Sequence, residues 1–377
     1  MVLFYIPMNT STHFISLART YKQILHNFYF KKTYSLGKHL NKLRLHERNT
    51  LMLLSLGSHL DLSRLVRVNF SQVEQLINYP EYKKYLIPKA KGGYREIFAP
   101  SAKLKSVQKC LNYYLQAYYL IIKPAQVHGF VICPSYYESV SNIMSNAWPH
   151  VKKKEVLTID LKDFFPSISA SAIKNVFESE IFQFNPQLAT ALTLLLTYQG
   201  KLPTGAPTSP VISNFICLSL DHDLNHFCEE HGLTYTRYAD DLTFSSMYSF
   251  TDDQVLDIIN LIRGHGFRIN EQKLRLKPWC RKQTVTGLTV NQRINVNRSF
   301  LKKTRAMLFD FTTNGLAEAS RKHFKLALAP TEKQQTAFLK RLEGYIGFIG
   351  QVRGPFDGMY LKFQEDFILA KSSNSGF

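Results

Sequence analysis

Leu233-Thr234-Tyr235-Thr236-Arg237-Tyr238-Ala239-Asp240-Asp241-Leu242-Thr243-Phe244-Ser245 sets two β-prone runs on either side of a tight Ala-Asp-Asp turn, the pattern of a hairpin. Aspartate is a common turn residue, so a solvated tip with two ordinary carboxylates is one reading. Adjacent aspartates at one tip repel each other unless a cation lies between them. A hard divalent cation such as Mg²⁺ takes one or two carboxylates together with substrate phosphates. The motif by itself leaves both readings open.

Upstream, Glu155-Val156-Leu157-Thr158-Ile159-Asp160-Leu161-Lys162-Asp163-Phe164-Phe165-Pro166 is an apolar strand ending in Asp160. Pro166 then opens a helical stretch from Ser169 to Glu178. A carboxylate at the end of a buried strand is costly unless paired or metal-bound. If this strand lies beside the hairpin, Asp160 and Asp240 can share two metal ions roughly 3.5–4 Å apart. One ion would lower the pKa of an attacking hydroxyl, and both would neutralise charge building on a phosphorus in transfer. Asp163 reads as a solvated helix-start residue and not a ligand.

Between the two segments lies Gln199-Gly200-Lys201-Leu202-Pro203-Thr204-Gly205-Ala206-Pro207-Thr208-Ser209-Pro210. Ser209 as N-cap and Pro210 at the first helical position predict a helix from Val211 to about His231. Ile212, Phe215, Ile216, Leu220, Leu224 and Phe227 would form its apolar face. A Gly-Ala-Pro loop before a helix either lets backbone approach a base pair or phosphate closely, or is a plain structural turn.

The whole chain fits a polyanion-binding globular protein. Its 377 residues allow two or three packed subdomains, with 45% apolar and 13% aromatic content. Lys plus Arg number 47 against 28 Asp plus Glu, a formal net charge of +19. A folded chain this basic points to nucleic acid as partner. Its 5 cysteines are scattered without a C-x-x-C pair, so neither a zinc knuckle nor a disulfide framework is expected and a reducing cytoplasm fits. The longest apolar stretches, such as Cys110 to Ile122, are too short to span a bilayer, so no membrane partner is expected.

Four zones follow: a basic arm over 1–50, helical periodicities with a hairpin over 51–150, mixed strands and helices over 151–290, and a helical basic zone over 291–377. The arm has no acidic residue before Glu47. It imitates an organelle transit peptide, and it equally fits a segment that packs on the domain or touches nucleic acid. In the last zone the helical stretch Phe300 to Phe311 places Lys302, Lys303 and Arg305 near one another. Phe338 to Phe348 combines Lys340 and Arg341 with Tyr345 and Phe348. Both suit RNA, through phosphate contacts and base stacking.

The order of these blocks is more specific than any one of them. Strand-Asp160, the Pro-Gly-Ala-Pro loop with its helix, and the Tyr-Ala-Asp-Asp hairpin resemble the reverse transcriptases. Gly264-His265-Gly266-Phe267-Arg268-Ile269-Asn270-Glu271-Gln272-Lys273 is similar to the family's next block, a turn and a strand ending in a lysine. The hairpin Lys89-Ala90-Lys91-Gly92-Gly93-Tyr94-Arg95-Glu96-Ile97 resembles the element that grips the incoming triphosphate. Asn146-Ala147-Trp148-Pro149-His150, Val285-Thr286-Gly287 and Val127-His128-Gly129-Phe130 resemble signatures of the retron subgroup. His150 itself reads as a structural histidine.

The resemblance implies an α+β right-hand polymerase architecture: fingers over 51–150, a palm with an antiparallel sheet over 151–290 and a helical thumb over 291–377. It implies catalytic, metal-holding roles for Asp160, Asp240 and Asp241 with two Mg²⁺ ions. Nucleotide contacts fall to Lys89, Lys91, Arg95, Phe165, Gly205 and Lys273. Phe165 stands where the family puts the aromatic that blocks a ribose 2′-hydroxyl. Retron enzymes copy part of their own structured non-coding RNA from dNTPs, starting at an RNA 2′-hydroxyl, into a branched multicopy single-stranded DNA (msDNA). They act in antiphage defence with a separate effector protein. Thr204 stands where many relatives carry Gln, which puts that side chain's nucleotide contact in doubt. No RNase H-type acidic cluster or endonuclease block is present. A group II intron-like or diversity-generating enzyme, and a catalytically idle nucleic-acid scaffold, are the alternatives. The intact aspartate trio argues against the scaffold.

Overall fold

Along the chain the apolar periodicities become helices and the alternating runs become short strands. The structure is a computed structural model and describes residues 8–20, 42–89, 92–135 and 140–374. The described residues fall into two compact units, one within Met1–Asn146 and Val156–Leu276, the other within Ala147–Glu155 and Lys277–Phe377.

The first unit opens with α1 (Met8–Thr20), α2 (Leu45–Leu54), α3 (His59–Val66), α4 (Phe70–Asn78) and the long α5 (Ala102–Ile122). The pattern from Leu51 to Val68 predicts one helix. The chain instead breaks and restarts at Ser58, whose hydroxyl accepts from the Asp61 amide at 3.1 Å as an N-cap. Phe14, Ile15 and Ala18 of α1 are buried in the same core as Leu51 of α2 and Leu104 of α5. This part of the basic arm is therefore built into the domain; residues 21–41 lie outside the described ones.

Between α4 and α5, β1 (Tyr82–Pro88) and β2 (Tyr94–Pro100) pair antiparallel from Tyr82↔Pro100 to Pro88↔Tyr94. After α6 (Ile143–Ala147) come β3 (Glu155–Asp160), α7 (Phe164–Ser167), α8 (Ala170–Glu178), α9 (Pro186–Leu196), α10 (Ser209–Ile216) and α11 (Leu218–Glu230). The hairpin β4 (Thr234–Tyr238) and β5 (Asp241–Ser246), then α12 (Asp252–Gly264) and β6 (Arg275–Pro278), complete the sheet in the order β4-β5-β3-β6. The edge of β4 is covered by backbone: His128 N donates to Arg237 O at 2.9 Å, and Arg237 N to Gln126 O at 3.0 Å.

Three local readings differ from the sequence expectation. The N-cap before α10 is Thr208; Ser209 is the first helical residue, and its hydroxyl donates to Pro203 O at 2.6 Å. The single helix expected to about His231 is two, joined at Cys217. Lys273 ends a 3₁₀ turn, Glu271–Lys273, and not a strand. Only Ile269 of that block bridges to its neighbour, Leu161. The Lys273 amide bonds back to Asn270 O at 2.9 Å and closes the turn.

The second unit carries β7 (Thr284–Val285), β8 (Leu288–Thr289), α13 (Arg298–Phe324), α14 (Glu332–Arg353) and α15 (Gly358–Asn374). Thr286 and Gly287, both with positive φ, make the two-residue turn of β7–β8. Gln283 is fully buried, and its amide donates to the carbonyls of Lys153, Lys154 and Lys277. α13 breaks at Gly315, and across that break Asp310 pairs with Lys322 at 2.8 Å and His323 at 2.7 Å. Among the described residues no helix is long and apolar enough to cross a membrane, and all 5 cysteines are free thiols.

Candidate active site

The turn of β4–β5 is closed by the pair Tyr238↔Asp241, which leaves Ala239 and Asp240 at the tip. β3 lies next to β5 in the sheet, and Leu161 N donates to Asp240 O at 3.0 Å. This register brings the last residue of β3, Asp160, to the carboxylates of Asp240 and Asp241. The three aspartates expected from the sequence therefore stand at one end of one sheet.

Their electrostatics are those of crowded like charges. Burial raises the Asp240 carboxyl above its ordinary value and Asp160 adds to the rise, while Lys273 and Arg95 oppose it. Burial of the carboxyl, with Asp240 and Asp160 beside it, pushes Asp241 up to about 6, although the residue as a whole is exposed. Lys273 Nζ lies 2.7 Å from Asp160 Oδ1, and Asn270 Nδ2 donates to Oδ2 at 3.2 Å. The loop that carries both is tied down by Asn270 N to Asp160 O at 2.8 Å and Lys162 N to Arg268 O at 2.7 Å.

A divalent cation fits this chemistry: three crowded carboxylates, two of them reluctant to ionise without a positive partner, and an ammonium already on the third. Among the described residues no group of three or more His, Cys, Asp or Glu side chains is placed to hold a metal ion by itself, this trio included. An ion here would take part of its coordination from substrate oxygens, as Mg²⁺ commonly does. Asp163 stays out of the cluster; it is exposed and paired with Arg268 at 3.2 Å.

The expected nucleotide residues divide by position. Lys89 is exposed at the β1–β2 turn, and Lys91 lies outside the described residues. Arg95, on β2, is near enough to act on the Asp240 carboxyl. β2 docks on the Gly-Ala-Pro loop through Phe98 N to Thr204 O at 2.7 Å. A Cβ on Gly205 would stand 2.7 Å from Ile97 Cγ2, so glycine there admits the hairpin. Phe165 is half-buried, its ring stacked on Phe130 with centroids 5.8 Å apart. Phe130, at φ 61°, is pinned by Gln116, which donates to its carbonyl at 2.9 Å and accepts from Ile132 N at 3.1 Å.

In the second unit Lys302, Lys303 and Arg305 are exposed on α13 but face different neighbours. Lys303 lies over the Tyr345 ring at 5.4 Å, and Arg305 over Phe363 at 6.0 Å. Lys340 is exposed, and Arg341 lies over Phe324 at 4.5 Å. Tyr345 and Phe348 both pack on Phe300, so these rings have partners within the unit. His150 is fully buried.

Sequence reasoning gave no role to the layer behind the turn: Gly129 and Arg237 appear only inside quoted motifs, and Asp221 and Asn214 not at all. A faint signal was present, because Tyr235 and Arg237 share one face of a strand and Asp221 interrupts the apolar face of α11. Nothing in a linear reading says that these two irregularities meet.

The family model described as reverse transcriptase (RNA-dependent DNA polymerase) matches residues 87–290. The chain is 33% identical over 267 residues to Retron Mx65 reverse transcriptase of Myxococcus xanthus, covering 66% of this chain and 60% of that one. It is 32% identical over 254 residues to Retron Ec86 reverse transcriptase of Escherichia coli, covering 66% of this chain and 76% of that one. With Retron Ec83 reverse transcriptase of Escherichia coli the identity is 29% over 284 residues, 71% of this chain and 87% of that one.

Proposed function

Because this chain belongs to the reverse transcriptase family, with retron enzymes as its relatives, we propose that it copies its own structured non-coding RNA into a branched msDNA. The convergence of Asp160, Asp240 and Asp241 on one sheet end carries this reading. These aspartates would hold two Mg²⁺ ions, which supply a lowered pKa at the attacking hydroxyl and neutralise charge on the phosphoryl group in transfer. Asn270 and Lys273 orient the Asp160 carboxylate from the side opposite the turn.

In this reading the fingers span 51–150, the palm 151–290 and the thumb 291–377. Lys89, Lys91 and Arg95 take the triphosphate of the incoming dNTP, and Lys273 completes that contact. Phe165 closes the space beside the sugar 2′ carbon, with Phe130 at its back. Gly205 lets the fingers hairpin seat against the loop that faces the nucleotide. Lys302, Lys303, Arg305, Lys340 and Arg341 grip the cognate RNA. Priming starts from an RNA 2′-hydroxyl in the cytoplasm, and the product works in antiphage defence with a separate effector protein.

The test is primer extension on an RNA template by Asp160→Ala and Asp240→Ala, with thermal melting of each. Extension should fall at least a thousandfold while both variants stay folded: Asp240→Ala relieves repulsion in the cation-free fold, and Asp160→Ala sets that relief against the loss of its bonds to Lys273 and Asn270. Substantial extension by either variant would overturn the assignment. Purification from the native operon should also bring down DNA covalently joined to RNA.

A further inference from the structure

A buried ion pair stands directly behind the aspartate turn. Arg237 and Asp221 side chains are each 0% exposed. Arg237 Nε donates to Asp221 Oδ1 at 2.7 Å and Nη2 to Oδ2 at 2.6 Å. The third nitrogen, Nη1, points onward: it donates to Asn214 Oδ1 at 3.0 Å and to the carbonyl of Ala239 at 3.1 Å. Asp221 also accepts from the Tyr235 hydroxyl at 2.8 Å. Asn214 in turn donates to Gly129 O at 3.1 Å. Gly129 lies so close that a Cβ there would stand 2.2 Å from Ala239 N.

Stability alone is a poor account of this arrangement. Taking two charges out of water costs more than their attraction always returns, and well-packed apolar residues often serve a core as well. The pair has a geometric output instead. Ala239 sits at φ 61°, a left-handed conformation that a residue with a Cβ holds only when its surroundings over-determine it. Its carbonyl is bonded by Arg237, and its amide is crowded by the Gly129 backbone. The next residue in the chain is Asp240.

We propose that Arg237, locked by Asp221 and Asn214, is the positioning residue of the aspartate turn, holding Ala239 left-handed so that Asp240 and Asp241 face Asp160. This rests on the reading of the three aspartates as the cation-holding centre. Arginine suits the role because its planar fork engages a carboxylate with two nitrogens and leaves the third free to direct. A lysine is one point charge and cannot do both.

Two variants separate positioning from stability. Asp221→Leu combined with Arg237→Met replaces the pair by apolar side chains of similar volume. Arg237→Lys keeps the buried charge but not the bond to Ala239, and remains informative should the double variant fail to fold. Each is measured for melting temperature, for kcat and dNTP KM on an annealed RNA template–DNA primer, and for Mn²⁺ binding by calorimetry on the free protein.

The expected result for the folded variants is kcat down at least tenfold with dNTP KM within twofold of wild type, and Mn²⁺ affinity down at least fivefold. Wild-type kcat and Mn²⁺ affinity in either folded variant would overturn the proposal and leave the pair a purely structural contact. Asp240→Ala, run alongside, tests the underlying reading by itself. If it stays active, the cation centre is misassigned; if it is inactive while the pair variants are not, only the positioning role fails.

Discussion

The ammonium of Lys273 and the carboxylate of Asp160 form an ion pair of 2.7 Å in which the carboxylate is the buried partner, 14% exposed against 55% for the lysine. Asn270 occupies the other oxygen of Asp160. The carboxylate proposed to complete the cation centre is thus already neutralised from a neighbouring loop, and a cation bound there must share it with that ammonium.

Lys273→Met should therefore act in two directions. A half-exposed pair contributes about 1 kcal/mol, so its removal strengthens Mn²⁺ binding to the free protein by roughly fivefold. The same change should raise the dNTP KM about tenfold, through loss of one cation facing the triphosphate. Calorimetric Mn²⁺ titration and steady-state extension read the two effects. Unchanged Mn²⁺ affinity would show that Lys273 leaves Asp160 without cost when a cation arrives.

Sugar choice should depend on two stacked rings. Phe165→Val should raise ribonucleotide relative to deoxyribonucleotide incorporation by about 10- to 100-fold, since the discrimination is steric. Phe130→Leu removes the ring 5.8 Å behind Phe165 and should give a smaller shift in the same direction. Competition assays with paired ribo- and deoxyribonucleotides measure both. If Phe165→Val leaves the preference unchanged, the gate lies elsewhere and the stack is ordinary core.

The repulsion at Asp241 has a pH signature. Its folded carboxyl is pushed up to about 6 from an ordinary 3.8, so between those values the folded state binds the proton more tightly than the unfolded chain. Stability in cation-free buffer should fall as pH rises through this window, and the penalty is complete above it. Asp241→Asn should therefore melt about 2 °C higher than wild type at pH 7.5 and only about a third as much higher at pH 4.5, where the window is partly crossed. Calorimetry with a chelator present checks this; an equal difference at both pH values would refute like-charge crowding as its cause.

The α13 cations offer a test of RNA reading. Changing Lys302, Lys303 and Arg305 together to Gln should weaken cognate RNA binding and lower the salt slope by about 2 to 3. Lys303 and Arg305 lie over aromatic rings, so the unit should also lose about 1–2 kcal/mol of stability. Extension of a generic template–primer at saturating protein should suffer less. Filter binding over a salt series decides: equal losses on both substrates would indicate a plain phosphate clamp, and no loss on either a solvated face.

What the linear chain determined by itself is the set of local chemistries. A β-prone run ending in Asp160 and a second pair of runs around Ala239-Asp240-Asp241 are strands because their residues favour a half-buried pleat, whatever surrounds them. Hence the aspartate trio, the β1–β2 hairpin and the helical last zone were legible from the linear chain. Helix boundaries were less so: Thr208, not Ser209, takes the N-cap position of α10, without a side-chain cap bond, and the Ser209 hydroxyl finds Pro203 across a loop whose path no window of sequence contains. Only the tertiary structure decided which strand lies beside which, and so that Leu161 meets Asp240 and Lys273 meets Asp160. It alone brought Arg237 to Asp221, and Gly129 to the backbone of Ala239. The physical reason is that propensity acts over a few neighbouring residues, whereas a buried hydrogen bond between distant segments is specified only when the packed core has fixed both of them.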